Sequence, residues 1–176
     1  MNKKMMYALV SIVVIIVAVV ASTGAYVLMN NNGAGGSGVK NTYTVTNATS
    51  LQYDVNVTYQ GTTTLSEFAG KNLGTSNIML RIDMSGVNQD NYTTVVNGTD
   101  QTAWRATNGN WTDVSSTYNT IWAIGCGKQW NNNVNALANW NGTGECTYTD
   151  SVGTSYKIYN VVINPTLDDS LFQHPI

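Results

Sequence analysis

The chain has 176 residues, of which 10% are charged and 43% hydrophobic, and a formal net charge of -2. With Lys3 and Lys4 set aside, the remainder carries 6 basic and 10 acidic residues, a net of -4, which excludes an electrostatic case for nucleic acid. Neutral polar side chains, Asn and Thr above all, must supply solubility, so the surface should depend little on ionisation.

The first predicted element is a membrane span. Tyr7 to Met29 holds no charged residue and follows Lys3 and Lys4. As a helix it reaches roughly 34 Å at 1.5 Å per residue, enough to cross a hydrocarbon core of about 30 Å. Lysines before the run and none just after it place the N-terminus in the cytoplasm and residues 40–176 outside the cell. The alternative is a cleaved secretory leader with its apolar region at Tyr7 to Ala21 and a cut after Ala21 or Ala25. Resumption of the apolar run at Ala25-Tyr26-Val27-Leu28-Met29 favours retention, because Tyr26 suits an interface. A short basic leader before a long apolar helix also resembles archaeal type IV pilins. The Gly-rich tether Asn30 to Gly38 counts against that, since it uncouples the domain from its anchor. The division is therefore a leader and anchor (or signal peptide) at 1–29, a flexible linker at 30–38, and one extracytoplasmic β-rich domain at 39–176.

From residue 41 onward the period is two. Leu51, Tyr53, Val55, Val57 and Tyr59 alternate with polar residues, as do Ile78, Leu80, Ile82 and Met84, and both patterns predict half-buried strands. Asn97-Gly98 and Asn108-Gly109 predict two tight type I′ hairpins, the first joining Tyr92–Val96 to Gln101–Ala106, the second joining Thr102–Thr107 to Asn110–Val114. That register sets Ala106 across from Trp111, with Trp104 diagonal to it. Tyr118, Ile121 and Trp122, then Trp130, Val134 and Leu137, follow helical spacings and predict short helices over 116–124 and 128–139, the first capped by Ser115 or Ser116. Two strands follow at Glu145–Asp150 and Ser155–Ile163, and Asn164-Pro165 leads into an irregular tail. The fold class is α+β, mostly β: an N-terminal transmembrane helix, then an antiparallel meander with one or two short helices packed on a face.

Cys126 and Cys146 are the only cysteines, and on the outer side of a membrane they are expected to form a disulfide. Six Asn-X-Ser/Thr sequons, at Asn47, Asn56, Asn91, Asn97, Asn110 and Asn141, are expected to carry glycans where the host glycosylates its surface proteins. No nucleophile has a recognisable base, and no zinc, haem or P-loop pattern is present, so no cofactor, no metal and no catalytic residue is assigned. His174, the single histidine, falls in a tail expected to fray. Asp54, Glu67, Asp83, Asp90 and Asp113 could meet in space as a carboxylate pair, though nothing in the sequence singles one out. Trp104, Trp111, Trp122 and Trp130 are the candidates for an aromatic binding face, against a role as core.

The turn Val95-Val96-Asn97-Gly98, followed by Ala103-Trp104 and then Asn108-Gly109-Asn110-Trp111, resembles the repeated hairpins of lipoprotein-carrier-type half-barrel domains over roughly residues 77–163. That resemblance implies a curved sheet over an apolar cavity for acyl chains, and no catalytic residues. Anchor, tether and sequon-rich domain together are similar in style to archaeal membrane-anchored surface glycoproteins. The expectation is a non-enzymatic domain at the cell surface, engaged in binding or structural association with itself, other surface proteins, glycans or lipid. The alternatives are a filament subunit built by strand donation from residues 39–48, and a lipid carrier.

Overall fold

The computed structural model describes residues 44–86 and 90–174. The membrane span, the linker and residues 39–43 of the donor segment lie outside the described residues, among which no helix is long and apolar enough to cross a membrane.

The strands are β1 (Ser50–Tyr59), β2 (Thr62–Lys71), β3 (Met79–Gly86), β4 (Tyr92–Asn97), β5 (Thr102–Thr107), β6 (Asn110–Asp113), β7 (Cys146–Thr149) and β8 (Ser155–Ile163). They form one eight-stranded sheet in the order β6-β5-β4-β3-β2-β1-β8-β7. Every neighbouring pair is antiparallel, so six strands make a meander and β8 returns to the free side of β1. The helices α1 (Tyr118–Ile124) and α2 (Cys126–Leu137) fill the connection between β6 and β7.

The alternation in β1 buries Leu51, Tyr53 and Val55 on the helix face, where Leu80, Ile82, Met84 and Ile158 join them. Trp130 and Leu137 of α2 close this layer from above. The space between helix and sheet is filled by rings: Tyr53 stacks on Phe68 at 4.9 Å and meets Trp130 at 5.4 Å.

β2 has no counterpart among the predicted elements. Its buried face reads Thr64, Ser66, Phe68 and Gly70, which hides the apolar period, and its hairpin turn is Gln60-Gly61. Both turn residues have positive φ, 48° and 80°, so the turn has the backbone of an Asn-Gly hairpin without its sequence. Asn108-Gly109 is the tight turn expected of it, with φ of 50° and 82°, and Ala106 pairs with Trp111. Asn97-Gly98 is not: Asn97 pairs with Thr102 across a longer loop in which Gln101 takes the left-handed conformation. The amide of Gly98 donates instead to the carbonyl of Ile78 at 2.8 Å. Ser115 does not cap α1; its hydroxyl bonds the backbone of Ala103, tying the helical segment to β5.

The disulfide is corrected. Both cysteines are free thiols. Cys126 opens α2, whereas the Cys146 sulfur sits 3.6 Å from the carbonyl oxygen of Ala136 near the other end of the helix. From 126 to 136 the helix rises roughly 15 Å, and a disulfide needs Cα atoms within about 7 Å. The donor segment also differs from expectation where it is described: Val45–Asn47 is a 3-10 turn with Val45 buried in the domain's own core.

Candidate functional site

The sheet face opposite the helices, here the back face, carries the features that could engage a partner. Residues of β1 at even numbers and of β2 and β3 at odd numbers point to it, and register brings three acids into one line. Asp54 pairs with Glu67, and Glu67 with Asp83. Tyr159 of β8 and Thr93 of β4 extend the line at either end. Directly opposed residues on adjacent antiparallel strands have Cβ atoms roughly 5 Å apart, so three of the five acidic residues considered in the sequence do come together. The other two do not: Asp90 accepts a hydrogen bond from Asn108, and Asp113 accepts one from the amide of Ser115.

The three acids have unequal company. Asp83 is held by Arg81 through two hydrogen bonds of 2.5 and 2.9 Å, and accepts a third from the Thr93 hydroxyl at 2.6 Å. Asp54 accepts from the Asn160 side-chain amide at 2.7 Å. Partial burial pushes the Asp54 carboxyl above its ordinary range despite that bond. Glu67 stands between them; partial burial, then the charges of Asp54 and Asp83, push its carboxyl up, with Arg81 opposing. Among the described residues no three His, Cys, Asp or Glu side chains are arranged to hold a metal ion.

Beyond the acids, toward β7, lies an open polar groove of about 450 Å³. Asn56, Thr58, Thr63, Thr147, Thr149 and Lys157 line it, and Lys157 is paired with Glu145 at 2.7 Å. The Thr58 and Thr63 hydroxyls share a hydrogen bond of 2.8 Å, and the Asn56 carbonyl accepts from Tyr159 at 3.2 Å. This surface offers hydroxyl and amide groups with almost no net charge.

Toward β5, the back face is covered by the segment after β8. Phe172 is buried against Ala69 and Val95, with Met79, Trp111, Leu167 and Leu171 around them. His174, expected to fray, instead stacks on Trp104 with ring centroids 3.6 Å apart and lies 6.5 Å from Trp111.

The proposed aromatic face is thereby divided. Trp104 and Trp111 share the back face, as their register demands, but the chain's own tail occupies them. Trp130 is core, 3% exposed, and Trp122 lies half-buried on α1, stacked with Tyr118, on the other side of the sheet. Helical spacing put Trp122 and Trp130 on helices, and the helices pack on the face that Trp104 and Trp111 turn away from. No sequence signal marked the tail as a partner of β5.

The sequons separate by exposure. Asn47, Asn110 and Asn141 are exposed, and Asn56, Asn91 and Asn97 are half-buried. At Asn141 the side-chain carbonyl accepts from both the amide and the hydroxyl of Thr143, and at Asn97 it accepts from the amide of Thr99.

Comparison with protein-family models, with curated proteins and with solved structures gives no match.

Proposed function

We propose that this chain is a membrane-anchored surface protein whose β-rich domain stands outside the cell and works by binding or structural association rather than by catalysis. The observation that carries the reading is the open half of the back face: a groove mostly of hydroxyl and amide groups, lined by Asn56, Thr58, Thr63 and Thr147 and holding one charge, Lys157, paired with Glu145, beside a short edge strand. Such a surface suits association with other polar, neutral surfaces, where many modest hydrogen bonds replace a few charged ones. Asn47, Asn110 and Asn141 are exposed residues, as glycans on a displayed domain require. The long uncharged run after Lys3 and Lys4 supplies the anchor in this reading.

Topology and association are tested together. A C-terminal tag should be digested by protease added to intact cells, and the purified full chain should retain partners or copies of itself in detergent. A tag shielded from protease removes the surface assignment. Regular fibres in negative-stain images would replace it with the filament reading, and acyl chains in organic extracts would replace it with the carrier reading.

A further inference from the structure

The segment after β8 is bound to its own sheet as a peptide ligand is bound to a receptor. It leaves β8 at Asn164, whose side-chain carbonyl accepts from the amide of Thr49 at 2.8 Å, and the Ser50 hydroxyl donates to the carbonyl of Pro165 at 2.7 Å. Residues 165–168 make the connection. Asp168 then caps a single 3-10 turn, Asp169–Phe172, by accepting from the amide of Ser170 at 2.8 Å. The turn seats Phe172 between Ala69 and Val95. Charges register it: Lys71 pairs with Asp169 and holds its ammonium 4.9 Å from the Phe172 ring, while Arg81 donates to the carbonyl of Leu171 at 3.1 Å. His174 on Trp104 completes the row.

Two properties make this segment portable. Its local shape comes from its own cap and turn, and the contacts that seat it are with β2, β3, β4, β5 and Trp111 of β6. Lys71 sets a positive charge in the groove against Asp169 of the segment, and Arg81, whose charge is already held by Asp83, adds a hydrogen bond to the Leu171 carbonyl.

We propose that the groove on β2–β5 also receives this segment from a second copy of the chain, so that neighbouring copies exchange straps. The proposal rests on the surface-association reading and names the partner: another copy, docking through Asp169, Phe172 and His174. Exchange reproduces the same contacts in both copies, and segment swapping is a low-cost route to a dimer for that reason. What opposes it is the tether, which gives the strap an effective concentration on the order of millimolar at its own groove. Copies crowded on one membrane compete against that figure, whereas dilute copies do not.

The test shortens the connection. Deleting Pro165 and Thr166 from the full chain removes about 7 Å of reach while keeping both groove and strap. In detergent this variant should show twice the monomer's protein mass by light scattering, and adding Phe172→Ala should return it to the monomer mass. A shortened chain that folds and remains monomeric overturns the proposal. If shortening abolishes folding, wild-type chain near millimolar concentration decides the matter: its mass should double, and that of Phe172→Ala should not. Wild-type chain that stays monomeric there sinks strap exchange. Dimers that persist in Phe172→Ala sink it too, while leaving self-association through another surface intact.

Discussion

Trp130 of α2 lies directly on the backbone of Gly70 in β2: a Cβ at Gly70 would come within 2.5 Å of the indole Cη2 atom. The small-residue face of β2 is thus the seat of the largest ring in the helix–sheet core. Gly70→Ala should force the indole out of place and destabilise the domain by about 1–3 kcal/mol, the usual range for overpacking a filled core. Urea unfolding monitored by tryptophan fluorescence measures it. A midpoint equal to that of the wild type would show that Trp130 does not rest there.

Among the described residues the Oγ of Ser66 is buried without a hydrogen-bond partner, and the Tyr53 hydroxyl and the Nδ2 of Asn133 face each other without a hydrogen bond of ordinary geometry, although the Asn133 carbonyl accepts from Tyr148 at 2.7 Å. An unpartnered buried polar group costs about 1–3 kcal/mol, and removing it relieves that cost. Tyr53→Phe keeps the stack on Phe68 and should therefore leave stability unchanged or raise it. Asn133→Leu should lower it, because it strands the Tyr148 hydroxyl. Equal losses in both variants, read by thermal melting, would mean that Tyr53 has a partner in solution.

The line of acids sets a pH dependence. Asp54 and Glu67 have carboxyls raised in the folded state, the first by burial and the second by burial followed by its acidic neighbours. A raised group binds its proton more tightly folded than unfolded, so its contribution is fully present below the unfolded value, near 4, and is lost as pH rises through the folded one. Asp150 and Asp168 are lowered: at Asp150 burial is outweighed by the backbone amides of Thr154 and Val152 together with the Tyr156 and Thr154 side chains, and the Ser170 side chain and amide act on Asp168. Their contribution is lost as pH falls below 4. The melting temperature should thus be highest just above pH 4 and decline gently toward pH 7. Glu67→Gln should flatten that decline, and a profile for it parallel to wild type between pH 4 and 7 would discount the carboxylate line.

Free thiols have a chemical consequence. Burial pushes the Cys126 thiol up to about 12 and raises Cys146, so little thiolate exists at neutral pH. In native protein at pH 8, an alkylating reagent should leave Cys126 unmodified and label half-exposed Cys146 slowly; in urea both should react at once. Intact mass after purification without reductant should match two thiols. A loss of two hydrogens would instead mean that α2 unwinds to let the pair meet.

Most of the sheet was legible because its signals are local. Alternation at Leu51–Tyr59 and Ile78–Met84, the Asn108-Gly109 turn and the Ala106–Trp111 pairing each depend on residues a few positions apart, where strand period and turn chemistry are set by backbone sterics. β2 escaped because Thr64, Ser66 and Gly70 break the apolar period around Phe68, and the room at Gly70 is taken by Trp130, which lies 60 positions further along. The tail escaped for the same kind of reason: nothing around His174 announces Trp104.

By itself, then, the chain's order of residues determined a low-charge, mostly antiparallel β domain with two short helices, preceded by an uncharged run long enough to span a bilayer. Only the tertiary structure decided that Cys126 and Cys146 stand at opposite ends of a helix, that Asp54, Glu67 and Asp83 form a line, and that Phe172 closes half of the back face. Those relations join residues far apart in the chain, and they follow from which elements pack together, which no local period or turn encodes.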